Sequence, residues 1–189
     1  MSDLQQKADK FIQTAPYFEI IRAHGHLYST GSYFLNTMTW PDIDMQLCLD
    51  KDRDAKETIA ALASSFIKTK GIKKLQYIDF LSYPRPPMTE GHCLCMTAFD
   101  ENFQNFWKND LWILPFSEIQ ENQEFMNHLK EQMTPEHHAL IMAFKYEWTT
   151  LYGRPPKMAS YYLYQAVILE NLQERQKIET YLRSKNVKI

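Results

Sequence analysis

Apolar positions along this chain follow one rhythm as far as about residue 115 and another after it. The first stretch alternates short extended runs with brief helical ones. Leu4, Ala8, Phe11 and Ile12 recur at helical spacing and predict a helix over residues 3–14, capped by Ser2 or Asp3 and closed by Pro16. Residues 18–28 read as extended, with Ile20, Ile21 and Leu27 apolar, and run into Ser29-Thr30-Gly31-Ser32. One or two helical turns over residues 33–39 then give way, after Pro41, to a strand over residues 42–49.

The polar break Asp50-Lys51-Asp52-Arg53-Asp54 supplies an N-cap at Asp54. The helix after it runs to about residue 68 on a stripe of Ile59, Leu62, Ala63, Phe66 and Ile67, with Gly71 as its C-terminal glycine. Extended segments follow at 74–83, 92–99 and 106–114. They are separated by the turn Pro84-Arg85-Pro86-Pro87 and by a polar stretch over 100–105, and such short links favour antiparallel neighbours. Beyond Pro115 the period is helical, over 117–133, 134–151 and 158–182. Thr134 caps the second of these, Pro135 opens it, and Gly153-Arg154-Pro155-Pro156 forms a hinge before the third. The expected fold is α+β: a small mixed sheet with helices on one face in residues 1–115, then a helical domain in residues 116–189.

Composition narrows the class. The 189 residues are 44% hydrophobic and 14% aromatic, enough for an ordinary core. A formal net charge of −2 gives no general drive toward nucleic acid. The basic clusters Lys68-Lys70-Lys73-Lys74 and Arg183-Lys185-Lys188 read as solvated faces. Three cysteines, Cys48, Cys93 and Cys95, lie in apolar runs, which favours reduced, packed thiols. The N-terminus lacks the basic start and apolar stretch of a signal peptide, and no apolar run nears the ~20 residues that span a bilayer. A cytoplasmic protein without a membrane partner is expected.

The chemistry concentrates at Gly31-Ser32, followed nine residues later by Pro41-Asp42-Ile43-Asp44-Met45. On a strand, Asp42 and Asp44 point the same way. Two neighbouring carboxylates repel unless a cation or water separates them, and an oxygen-only acidic site suits Mg²⁺. The Gly-Ser turn offers backbone N–H groups and a hydroxyl to a phosphate. The plain alternative is a turn with two solvated aspartates, with Ser32 as a helix N-cap.

Gly31-Ser32 with Asp42-Ile43-Asp44 resembles the signature of the DNA polymerase β-like nucleotidyltransferase superfamily. That signature implies a third carboxylate on a later strand, for which Asp79 and Asp110 are the candidates. The run Trp107-Lys108-Asn109-Asp110-Leu111-Trp112-Ile113-Leu114 resembles the third-carboxylate strand of a bacterial nucleotidyltransferase-like group and selects Asp110, although Asn109 stands where an apolar residue is expected. Thr134-Pro135-Glu136, Lys145 and the run from Tyr161 to Leu169 resemble its helical part.

The resemblance implies metal-dependent transfer of a nucleoside monophosphate from a nucleoside triphosphate, ATP among them, to an acceptor hydroxyl, with release of pyrophosphate. It implies Asp42, Asp44 and Asp110 as catalytic residues and as ligands to two Mg²⁺ ions, with Mn²⁺ as a substitute. Gly31, Ser32, Lys145 and Tyr164 are its nucleotide-binding candidates. The acceptor, a small molecule such as an antibiotic or a protein, is left open, as is self-association; a nucleic-acid acceptor is disfavoured by the charge.

Rival readings stand beside these. A catalytically silent nucleotide-binding or regulatory protein could keep the same fold. Lys145 on its own reads as an exposed helix lysine, and Tyr161, Tyr162 and Tyr164 as amphipathic packing. His24-x-His26, His92-Cys93-x-Cys95 and His137-His138 lack the spacing of a zinc site.

Overall fold

A computed structural model describes residues 3–50, 53–86 and 88–189. The expectations placed on Ser2, Lys51, Asp52 and Pro87 lie outside the described residues. The element order is α1 (Asp3–Thr14), α2 (Pro16–Arg22), β1 (Gly25–Thr30), α3 (Gly31–Phe34), β2 (Asp42–Leu49), α4 (Ala55–Lys68), β3 (Ile72–Asp79), β4 (His92–Asp100), β5 (Asn105–Ile113), α5 (Phe116–Gln132), α6 (Pro135–Tyr152) and α7 (Ala159–Tyr164). A π-helical segment, Gln165–Leu169, and α8 (Arg175–Ser184) complete it.

Five strands form one mixed sheet in the order β1-β2-β5-β4-β3. β2 and β5 are parallel, and every other pair is antiparallel. Alternation along the strands divides the sheet into two unlike faces. Ile43, Met45 and Leu47 of β2, Leu94, Met96 and Ala98 of β4, and Trp107, Leu111 and Ile113 of β5 form one of them. They pack against Ala8, Phe11 and Ile12 of α1, Tyr17, Phe18 and Ile21 of α2, and Ile59, Leu62 and Phe66 of α4. A second core lies among α5, α6, α7, the π-helical segment and α8, and Leu35 from the loop after α3 joins it. Gln123 of α5 docks that helical part on the sheet by donating to Ser29 O at 3.0 Å and Gln46 Oε1 at 3.2 Å.

Three local expectations are corrected. Pro16 does not merely close the first helix: it opens α2 (Pro16–Arg22), so residues 18–22 of the expected extended run 18–28 are helical. A proline needs no N–H at the first helical turn, and Phe18 and Ile21, three apart, bury on one helical face. The helix before Gly71 ends at Lys68, and Gly71, at φ +93°, instead shapes the entry to β3, where its carbonyl accepts from Phe99 N. The long C-terminal helix is broken after the π-helical segment. There Asn171 adopts φ 48° and Leu172 N returns to Ala166 O, so residues 170–174 leave the helix before α8 starts.

Asn109 interrupts the apolar face of β5. It is buried, its Nδ2 reaches Trp107 O only at 3.5 Å, and its Oδ1 accepts no hydrogen bond. A buried acceptor without a donor costs about 1–3 kcal/mol. Asn109→Leu, set among Phe18, Ile21, Met45 and Leu94, is therefore expected to raise unfolding stability by about 1–2 kcal/mol. A higher urea midpoint at unchanged slope is the measurement that checks it.

Candidate functional site

The parallel pairing of β2 with β5 sets Asp44 opposite Asp110 and Asp42 opposite Lys108. Partners in register share a face, so all four side chains stand on the face that α1, α2 and α4 leave uncovered. The chain alternates this way because Ile43, Met45, Asn109 and Leu111 take the intervening positions toward the helices. Carboxylate oxygens of Asp42, Asp44 and Asp110 lie within 4.8 Å of one another. Asp110 Oδ1 accepts no hydrogen bond.

A cation already sits among them. Lys108 Nζ donates to Asp42 Oδ1 at 3.0 Å and to Asp110 Oδ2 at 2.6 Å. Sequence reasoning quoted this lysine within a motif and gave it no part; its position two residues before Asp110 on a strand was the available signal. One ammonium does not neutralise three carboxylates. Burial, outweighing the pull of Lys108 and aided by repulsion from Asp110, raises the Asp42 carboxyl from 3.8 to about 6. Among the described residues Asp44 has no ion pair, and burial followed by repulsion from Asp42 and Asp110 pushes it well up. Burial alone would lower Lys108, but the charges of Asp42 and Asp110 outweigh that and hold it above its ordinary value.

Gly31 backs Asp44. Its φ is +62°, and a Cβ there would lie 2.7 Å from Asp44 Oδ2, so only glycine lets the turn close against the carboxylate. Ser32 lies inside the single turn α3; the capping position is Thr30, with no side-chain cap. The Ser32 carbonyl accepts from Thr37 N at 2.9 Å, which folds the following loop back over the turn.

Lys145 overturns the expectation of an exposed helix lysine: it is 0% exposed. Its Nζ donates to Tyr164 OH at 2.9 Å, and that hydroxyl lies 2.8 Å from Thr37 Oγ1. Lys145 lies near enough to the carboxylates for its charge to oppose the upward shifts of both Asp42 and Asp44. Tyr164 is buried with it, whereas Tyr161 is partly exposed and packs on Phe125 and Tyr162.

Asp79 stands apart. It pairs with His92, which pairs with Ile113, so it belongs to the helix-covered face and lies beyond β4 and β5 from Asp44. The Ser82 N–H and hydroxyl hydrogen-bond its carboxylate, Lys56 pairs with it at 3.2 Å, and these contacts hold its carboxyl below the ordinary range. Four of the six histidines are engaged elsewhere: His24 with Arg53, His92 with Tyr77, His137 with Thr134 and Asn171, and His138 with Asn36 O. Among the described residues, no histidine joins a metal-competent cluster. Three converging carboxylates, an Asp110 oxygen without a donor and an ammonium drawn into their midst fit a hard divalent cation.

No known family model and no curated protein sequence matches this chain. Solved structures do. A non-canonical poly(A) polymerase complex, GLD-2 with GLD-3, aligns at TM-score 0.60 and 16% identity over 89% of this chain and 53% of the other. The Cid1 poly(U) polymerase bound to MgATP aligns at TM-score 0.55 and 11% identity over 79% and 44%. A cytoplasmic RNA terminal U-transferase aligns at TM-score 0.53 and 12% identity over 94% and 51%. The chain therefore shares the fold of these structures, and it spans about half their length.

Two outcomes are expected of the site itself. Gly31→Ala forces a left-handed alanine against Asp44 and should cost about 1–2 kcal/mol, read as a lower urea midpoint. A carboxyl raised in the fold supports folding while protonated. In metal-free protein the contribution of Asp42 is complete below pH 3.8 and is lost as the pH rises through about 6. Asp42→Asn removes this loss, so the melting temperature of the native chain should fall relative to that of the variant across this interval.

Proposed function

We propose that the chain is a metal-dependent nucleotidyltransferase, with residues 1–115 as the catalytic domain and residues 116–189 as a helical domain walling the cleft. It moves a nucleoside monophosphate from a nucleoside triphosphate to an acceptor hydroxyl. The supporting observation is the convergence of Asp42, Asp44 and Asp110 on one open sheet face, within 4.8 Å. In the reaction the acceptor oxygen bonds to the α-phosphorus, the bond from that phosphorus to the leaving bridge oxygen breaks, and pyrophosphate departs.

Asp42, Asp44 and Asp110 are the residues that would hold the divalent ions, Mg²⁺ or Mn²⁺, two of them in this reading. Bound there, the ions supply neutralisation of the triphosphate and stabilisation of the attacking and leaving oxygens. Asp110 also orients the acceptor hydroxyl and takes its proton. The backbone beside Gly31 and the Ser32 hydroxyl hold the terminal phosphates. Lys145, anchored by Tyr164, presents a fixed positive charge from the helical wall. Lys108 holds the carboxylates together in the metal-free protein.

The acceptor is a hydroxyl of a small molecule, such as a cationic antibiotic that the acidic cleft would attract, or of a protein. The near-neutral chain weighs against nucleic acid, although the neighbours named above include RNA-tailing enzymes. A second reading has its own observation. Lys108 already occupies the space between Asp42 and Asp110, and a silent nucleotide-binding protein would keep it there.

Each labelled nucleoside triphosphate, incubated with Mg²⁺ and a panel of acceptors that includes the protein itself, is expected to yield pyrophosphate with at least one acceptor. Asp42→Asn, Asp44→Asn and Asp110→Asn should each lower the rate by at least about 100-fold, since losing even an outer partner of a metal ligand costs 10–100-fold. Asp79→Asn should leave it unchanged. Nucleotide binding without metal dependence or pyrophosphate would establish the silent reading, and a fully active Asp110→Asn would remove the third carboxylate from the mechanism.

A further inference from the structure

Cys93 and Cys95 stand two apart on β4, so their side chains rise on the carboxylate face while His92 and Leu94 point toward the helices. Cys95 is directly opposite Asp110. The two sulfurs are 3.6 Å apart, and a carboxylate oxygen of Asp110 lies within 4.8 Å of both. Cys93 is buried, Cys95 is half-buried, and both are free thiols.

These separations have a chemical meaning. Zinc holds thiolate sulfur at ~2.3 Å in tetrahedral geometry, which places two coordinated sulfurs about 3.8 Å apart. The cysteine pair stands at nearly that spacing. Asp110 Oδ1 is buried and accepts no hydrogen bond, so this carboxylate keeps an oxygen free for a ligand. Mg²⁺ avoids sulfur, whereas Zn²⁺ and its thiophilic relatives take mixed sulfur and oxygen sets. Spacing within one strand could not reveal the set, because its third member comes from the neighbouring strand.

We propose that Cys93, Cys95 and Asp110 form a second metal site, selective for thiophilic divalent cations such as Zn²⁺, which shares Asp110 with the Asp42–Asp44 pair. On binding, the two S–H groups release their protons to solvent as two metal–sulfur bonds form. Asp110 binds as the carboxylate, and no electrons are transferred. Three protein ligands leave a fourth position for water. Because one carboxylate serves two sites, a thiophilic ion here weakens the hard-cation site, and the weakening is reciprocal. This last consequence rests on the metal-binding role given to Asp42 and Asp44 above; the thiolate site does not.

Cobalt(II) is the probe for the site itself. Metal-stripped, phosphine-reduced protein should bind one Co²⁺ with a thiolate-to-cobalt charge-transfer band, and Zn²⁺ should displace it. The band should vanish in Cys93→Ser/Cys95→Ser and in Cys95→Ser alone, the second variant sparing the buried Cys93. It should weaken about 10-fold or more in Asp110→Asn and persist in Asp42→Asn. Absence of the band at stoichiometric cobalt, or its survival in folded Cys95→Ser protein, overturns the site.

The sharing is read separately. The Mg²⁺-induced rise in melting temperature should shrink with one equivalent of Zn²⁺ in the native chain and stay intact in the double cysteine variant. An undiminished Mg²⁺ shift in zinc-loaded native protein overturns the sharing. A cobalt band in a protein with no Mg²⁺ shift would instead fault the hard-cation reading and leave the thiolate site standing.

Discussion

The parallel seam between β2 and β5 imposes the condition that the rest of this structure answers. Backbone hydrogen bonds hold the two strands at a fixed separation of about 4.8 Å, so Asp44 and Asp110 cannot move apart to relieve their repulsion. At that separation two unit charges repel by about 3 kcal/mol in an effective dielectric of ~20. Asp42, two residues along the same face, adds a third charge. Lys108 joins two of the three and leaves Asp44 without an ionic partner among the described residues. The sheet thus holds a standing demand for positive charge, met in part by one ammonium and in part by keeping protons on carboxyls.

Sheet alternation makes that demand affordable. Each charged residue of β2 and β5 is flanked by side chains that bury under α1, α2 and α4, so the apolar half of each strand anchors the polar half. The anchoring is uneven at one point: Asn109 carries a buried, unpaired acceptor between Lys108 and Asp110. On the opposite face Gly31 of α3 abuts Asp44. From further off, α6 and α7 bring Lys145 and Tyr164 toward the carboxylates, and the cation buried there is held by the Tyr164 hydroxyl rather than by a carboxylate.

Strong periodicity was readable from the residues alone. The β2, α4, β4, β5, α5 and α6 elements follow from alternation, caps and proline placement, and Asp54 and Thr134 accept hydrogen bonds from the N–H groups their capping positions require. The Asp-x-Asp pair and the Gly-Ser turn announce themselves because their chemistry is local. Register was not legible. Only the likeness of the run Trp107–Leu114 to a known strand favoured Asp110 over Asp79; periodicity and spacing could not, since the placement depends on β5 inserting between β2 and β4. Lys145 was unreadable for a related reason: its burial is created by α7 and the loop after α3, both distant in sequence. The α2 helix was missed because Pro16 was given the role of a stop when it serves as a start.

The loop joining α3 to β2 is where the two cores meet, and it ties the turn at Gly31 to the helical part. Leu35 packs into the helical core and Met38 into the sheet core, three residues apart. Between them Asn36 takes φ 55° and offers its carbonyl to His138. Thr37 reaches Tyr164, and Thr39 lies 2.9 Å from the Thr149 hydroxyl. The same loop descends from Gly31, whose backbone abuts Asp44. A displacement of α6 or α7 therefore cannot stay within the helical part. It pulls on residues 36–39, through them on the turn at Gly31, and so on the carboxylate that has least room to yield. Charge at Asp44 and the position of the helical wall are coupled through one short segment, and a ligand touching both would act on a linkage already present in the fold.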